Sequence, residues 1–227
     1  MYRTRGSRLV NPADLITAGK RSRLQKTVAD NIHGYTYGDS SLEPSPVSLA
    51  ELDSLKLSVG FTADDERFLR LAGEVLSERT EQIVDLWRRE LIGSVPNLAR
   101  HSRSMEGKPL PGYALNSGLR LQQWILDTCF RPYDQDWLNY QHEIALRHTS
   151  VKKNRTDDAP STPYIPLRDI LGFIGAMNET IKPFLAAKGN SPETVSKMHD
   201  AWGKSMQLQM ALWSKPYMDQ APAANEW

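Results

Sequence analysis

An all-α fold follows from three observations on this 227-residue chain. Apolar residues recur at helical spacing over most of its length, helix-start and helix-stop residues bracket those stretches, and sustained period-two alternation with hairpin turns is missing. No internal repeat is evident, so a single domain is expected rather than an array.

The elements follow in chain order. The segment 1–31 carries Arg3, Arg5, Arg8, Lys20, Arg21, Arg23 and Lys26 against Asp14 and Asp30. It reads as a basic, solvated, flexible extension; a transit-type targeting peptide or an upstream extension of the reading frame fits the same composition. From His33 to Ser45 the residues HGYTYGDSSLEPS predict an irregular segment, its two tyrosines docked on something else. Ser48 and Glu51 form a capping box ahead of a short helix with Leu49, Leu52, Leu55 and Leu57, ended by Gly60. Thr62 to Asp65 starts the next helix, and Phe68, Leu71, Val75, Leu76, Ile83, Leu86 and Trp87 keep helical spacing toward Gly93 and Pro96. This is one long helix or two abutting ones.

Asn97 to Pro111 reads as loop, and Tyr113 to Cys129 as helix. Pro132 breaks the pattern, after which Asp134 is placed to cap a further helix. On that helix Trp137, Gln141, Ile144 and His148 share one face, which puts the imidazole in the last turn. His142 is rotated roughly 120° away, so the two rings cannot meet one ligand from this helix. Spacing alone leaves His148 as a hydrogen-bonded core or surface histidine or as a ligand. VKKNRTDDAPSTP is expected to be surface loop with Lys152, Lys153 and Arg155 solvated. Ile170, Ile174, Met177, Ile181 and Phe184 form the next stripe, stopping at Gly189. Ser191, Pro192 and Glu193 then open a last helix striped by Met198, Trp202, Met206, Gln209 and Trp213 and closed by Pro216. The last two helices should form an antiparallel pair that covers the helix carrying His148.

Composition narrows the function. Hydrophobic residues at 40% and charged residues at 24% describe an ordinary globular protein with enough length to bury a core. Cys129 is the sole cysteine, which excludes an intramolecular disulfide framework and every C-x-x-C pattern, and predicts a small buried hydrophobe in a reducing, cytoplasmic setting. A net charge of +1 gives no general attraction to nucleic acid or membranes, and no apolar run is long enough to span a bilayer. Dinucleotide, phosphate-loop, G-x-S-x-G and H-E-x-x-H signatures are missing. Asp64 and Asp65, and Asp157 and Asp158, read as solvated or helix-dipole carboxylates. Six tryptophans and seven methionines beside an inward histidine would suit a large planar apolar ligand, or plain core.

GYTYGD, ILDTCFRPYDQDWLNYQ, the RHT and KKN of LRHTSVKKN, IKPFLA and ALWS together resemble the protoglobins, single-domain relatives of the globin-coupled sensors. The likeness covers approximately His33 to Tyr217, within a haem domain drawn at 32–217 and followed by a short tail, 218–227. It implies a globin fold with an additional amino-terminal helix. It further implies a non-covalent haem b (iron protoporphyrin IX), a homodimer through the last two long helices, and a GYTYG segment folded over the haem. By position His148 corresponds to the iron ligand, Arg120 to a basic residue near the haem carboxylates, Trp87 to the distal tryptophan and Phe173 to a pocket phenylalanine.

Two positions depart from the family. Arg88 stands where a tyrosine is usual and Leu121 where a phenylalanine is usual, and WRRELIGSVP is one residue longer than its counterpart. Arg88 or Arg89 could therefore face the haem, or both could lie in solvent. The expected function is reversible binding of O2, CO or NO, with gas sensing as its purpose. The chain runs about ten residues past its last helix, so an attached output domain is not expected and signalling would pass through a partner. The alternatives are a haem enzyme of peroxidase or NO and nitrite type using Arg88, and a haem-free interaction module.

Overall fold

A computed structural model describes residues 31–219, so the expectations for the basic extension and for most of the tail fall outside the described residues. Among the described residues there are eight α-helices and no strand. They are α1 (Leu49–Ser58), α2 (Ala63–Leu76), α3 (Thr80–Leu86), α4 (Pro96–Ala99), α5 (Pro111–Phe130), α6 (Gln135–Leu146), α7 (Leu167–Leu185) and α8 (Pro192–Asp219). A π-helical segment, Trp87–Ile92, continues α3 directly.

Local chemistry sets several of the boundaries. Ser48 and Thr62 each accept from the backbone N–H three residues on, while Glu51 and Asp65 reach back to the cap, so both capping boxes form. Asp134 accepts from the N–H of Trp137 at 3.0 Å and starts α6. Asp65 also takes the Lys204 ammonium at 2.9 Å, which ties the start of α2 to α8. Its carboxylate lies in the first turn, as the helix-dipole reading expects, and is buried and paired rather than solvated.

Helix α8 is the central support: α2, α6 and α7 all pack on it, and α2 also packs on α5. Gly73 lets α2 and α5 approach closely, since a Cβ there would lie 2.5 Å from the Phe130 ring. Trp124 of α5 sits edge-on to Trp202 at 6.0 Å and tilted against Trp213 at 6.1 Å. These large rings carry polar atoms, and the core supplies partners for two of them. The Trp124 indole donates to Gln209 at 2.7 Å and that of Trp213 to Gln141 at 2.8 Å, which fixes α5, α6 and α8 in register. As expected, α7 and α8 are antiparallel neighbours, with His199 bonded to the Asn178 carbonyl at 2.8 Å across the pair.

Four expectations are corrected. The Asn97 to Pro111 stretch contains α4 and a 3-10 turn, Arg100–Ser102. The proline at the first position of α4 is preset for a helix start, which a reading of Pro and Ser as loop formers overlooks. Pro216 does not end α8, which runs to Asp219. A proline in the last turn leaves one carbonyl without its N–H partner, and helix ends leave such carbonyls free anyway. Leu57 is 82% exposed and does not join the buried face of α1. His148 lies two residues beyond the end of α6, in a turn closed by its N–H on the Ala145 carbonyl at 3.0 Å.

Candidate functional site

The π-helical segment, α5, the turn after α6, α7 and the end of α8 surround a cavity of about 1350 Å³ of empty volume, counted out to its open mouth. Its apolar lining includes Ile92, Leu121, Ile144, Ile170, Phe173 and Trp213. Five of the six positions singled out from the sequence line it: His148, Arg120, Leu121, Phe173 and Arg88. The sixth, Trp87, does not. It is fully buried behind Phe173, edge-on at 6.4 Å, and donates its indole N–H to Thr180 at 2.9 Å.

The His148 ring is held on two sides. Its Nδ1 lies 2.7 Å from the Ile144 carbonyl, and its face stacks on Trp213 at 5.5 Å and 23°. A carbonyl can only accept, so Nδ1 carries the proton and Nε2 keeps its lone pair. Burial, only partly offset by that backbone bond, pushes the imidazole down to about 4, so it is neutral at physiological pH. Nε2 makes no hydrogen bond with the described residues. An imidazole in this state can accept a hydrogen bond or coordinate a metal through Nε2.

A second imidazole lines the same cavity. His101 is spent on both nitrogens, Nδ1 with Thr162 at 2.8 Å and Nε2 with Asp169 at 3.1 Å. His142 faces elsewhere and pairs with Glu43 at 3.8 Å.

Charge is concentrated around the cavity. Arg120 pairs with Asp157 and donates to the His33 carbonyl at 2.8 Å. Arg147 and Lys152 both pair with Glu143, and Arg147 also donates to the Gly34 carbonyl at 2.6 Å. Burial would raise the Asp157 carboxyl, but Arg120 and Asn116 hold it below the usual range. Thus the loop after His148 is not simply solvated. The Asp157 side chain is 4% exposed, and Lys153 is buried with its ammonium on Tyr113 at 3.0 Å and Asn154 at 2.6 Å. Burial pushes the Lys153 amine down to about 8.

The GYTYG segment docks beside these groups, as expected of its tyrosines. Tyr35 and Tyr37 each meet Tyr140 edge-on at 5.5 Å, and the Tyr35 hydroxyl donates to Asp127 at 2.8 Å. Gly34 has φ +73° and abuts Thr156, a position that only glycine fits.

Arg88 lines the cavity and Arg89 is exposed. The π-helical segment explains how: Gly93 N–H reaches the Arg88 carbonyl at 2.8 Å, an i to i+5 closure that absorbs one extra residue. His101, Tyr113, Lys153 and Asp157 are site residues that the sequence reading missed. They come from loops or helix starts and meet across distant chain positions, where no periodic signal exists.

Stacked helices around an apolar cleft, with one imidazole nitrogen left free at its wall, are the architecture of a globin. The protoglobin family model matches residues 48–222, and the chain belongs to that family of haem-binding globins. A comparison with curated proteins finds no match.

Proposed function

We propose that the cavity holds a non-covalent haem b, with His148 as the axial ligand of its iron, and that the protein reversibly binds O2, CO or NO there. The neutral, unbonded Nε2 of His148 at the cavity wall is the observation that carries this reading. Bound haem supplies the iron that a diatomic gas needs.

The chain's own residues do the rest. Ile144 holds the imidazole tautomer, and Trp213 sets the plane of the ring. Leu121 and Phe173 offer apolar contact to a planar ligand, with Trp87 backing Phe173. Arg120, at the cavity edge, is the cation suited to haem carboxylates, and Asp157 keeps its fork oriented. No helix among the described residues is long and apolar enough to cross a membrane.

A homodimer through α7 and α8 is supported by Leu171, 49% exposed on α7, and by open space above Gly172 and Gly175. The single buried, free Cys129 supports a reducing, cytoplasmic setting. Gas sensing through a partner protein is the role that suits such a protein. A second reading, a haem enzyme acting on peroxide, NO or nitrite, gains from the entry of Arg88 into the cavity. The haem-free module gains nothing from these residues.

The ultraviolet-visible spectrum of the ferrous protein with and without CO tests the leading reading. A Soret band that shifts with CO at one haem per chain is expected; unsaturable, non-stoichiometric haem uptake refutes it.

A further inference from the structure

Arg88 is the least satisfied of the cations that line the cavity. Its guanidinium offers five N–H donors, yet its only hydrogen bond runs from Nη2 to the Ser117 hydroxyl at 2.7 Å. Its Nε is buried with no partner. Burial depresses its pKa, the sign of a charge held without full compensation. The other cations at the cavity differ. Arg120 has Asp157, and Arg147 and Lys152 share Glu143, while Lys153 has neutral acceptors on Tyr113 and Asn154.

The carboxylates at the cavity are already committed, Asp157 to Arg120 and Asp169 to His101. Asp85 acts on Arg88 only through space, without a hydrogen bond, and a largely buried guanidinium with no hydrogen-bonded anion is costly, so something negative should complete it.

We propose that Arg88 is a binding group for a small inorganic oxyanion inside the cavity, with Ser117 as its positioning residue. Ser117 donates its own hydroxyl proton to the Tyr113 carbonyl at 2.5 Å, so toward Arg88 it can only accept. That bond aims the guanidinium and leaves Nη1 for the ligand beside Nη2, while Nε stays packed against Gly118. Gly118 makes the room: a Cβ there would lie 3.3 Å from Nε. Ile92 and Leu121 on the same cavity keep the local dielectric low, which strengthens a charge-assisted bond. Planar ions with two exposed oxygens, such as nitrite, match the fork of a guanidinium.

The inference rests on the haem reading only for the site's role, because the cation and its wall are made by the chain itself. The same oxygen chemistry could come from the haem's own carboxylates, and the experiment separates the two. Nitrite is titrated against the ferric haem-loaded protein and its Arg88→Lys, Arg88→Leu and Ser117→Ala variants, followed by the Soret band, with haem content per chain measured for each.

Arg88→Leu should weaken nitrite about tenfold or more, with Arg88→Lys and Ser117→Ala in between. Equal nitrite affinity in wild type and Arg88→Leu overturns the proposal. So does an Arg88→Leu protein that loses haem but binds nitrite normally per remaining haem, since Arg88 then serves the haem carboxylates. If the wild type shows no saturable haem binding, the haem reading fails on its own. The haem-free protein then decides: a nitrite-dependent rise in Tm that Arg88→Leu abolishes supports the anion site, and no rise overturns it.

Discussion

The Ile144 carbonyl lies 2.7 Å from Nδ1 of His148, four residues further along the chain, and this contact decides which imidazole nitrogen stays free. The bond is internal to one turn, so it forms as soon as α6 ends where it does. The ligand proposed for iron is thereby oriented by its own backbone.

Replacing His148 with Gly should abolish the native haem spectrum, and added imidazole should restore much of it by filling the space left by the ring. Soret absorbance per chain, with and without imidazole, is the measurement. Unchanged haem content and an unchanged CO spectrum would remove His148 from the iron.

Gly34→Ala should destabilise the docked amino-terminal segment, because an alanine at φ +73° is strained and its Cβ runs into Thr156. A loss of roughly 1–3 kcal/mol is expected, with faster transfer of haem to apomyoglobin. Denaturant unfolding and haem-transfer kinetics check both parts. Normal stability with normal haem retention would show that the segment does not close the cavity.

Glu143 gives a pH dependence of defined sign. Burial would raise its carboxyl, but hydrogen bonds from Lys152 and Arg147 more than offset that and hold it below its ordinary 4.5. A depressed carboxyl contributes stability that is complete above the ordinary value and is lost as pH falls through the folded one. Wild type should therefore exceed Glu143→Gln in Tm at neutral pH, and the gap should narrow below about pH 4.5. A gap that stays constant across that range would contradict the pairing.

Trp87→Phe separates packing from ligand contact. Trp87 is fully buried and its N–H is bonded to Thr180, yet it does not line the cavity. The substitution should cost about 1–3 kcal/mol of stability while leaving haem content intact. Normal stability with altered CO binding would instead place the indole against the haem.

Much of the fold was legible because helix periodicity and caps are local signals. The two capping boxes, the Asp134 cap and the stripes on α7 and α8 needed only neighbours within a turn or two, and the structure carries all of them. The ends of helices were less legible. Local pattern makes Pro216 and Pro96 breakers or loop formers, while each is tolerated where the helix lacks a partner for its backbone group anyway.

By itself the sequence determined the all-α class and the family, since each depends on spacing or on motifs within one segment. Tertiary structure alone decided which nitrogen of His148 is free, that Arg88 rather than Arg89 enters the cavity, and that Lys153 and Asp157 are buried instead of solvated. Those outcomes depend on groups brought together from distant positions: a π-helical turn that absorbs one residue, Ser117 across from Arg88, Tyr113 beneath Lys153 and Arg120 against Asp157. A charged side chain in a loop looks solvated until a partner is folded against it, and no local pattern names that partner.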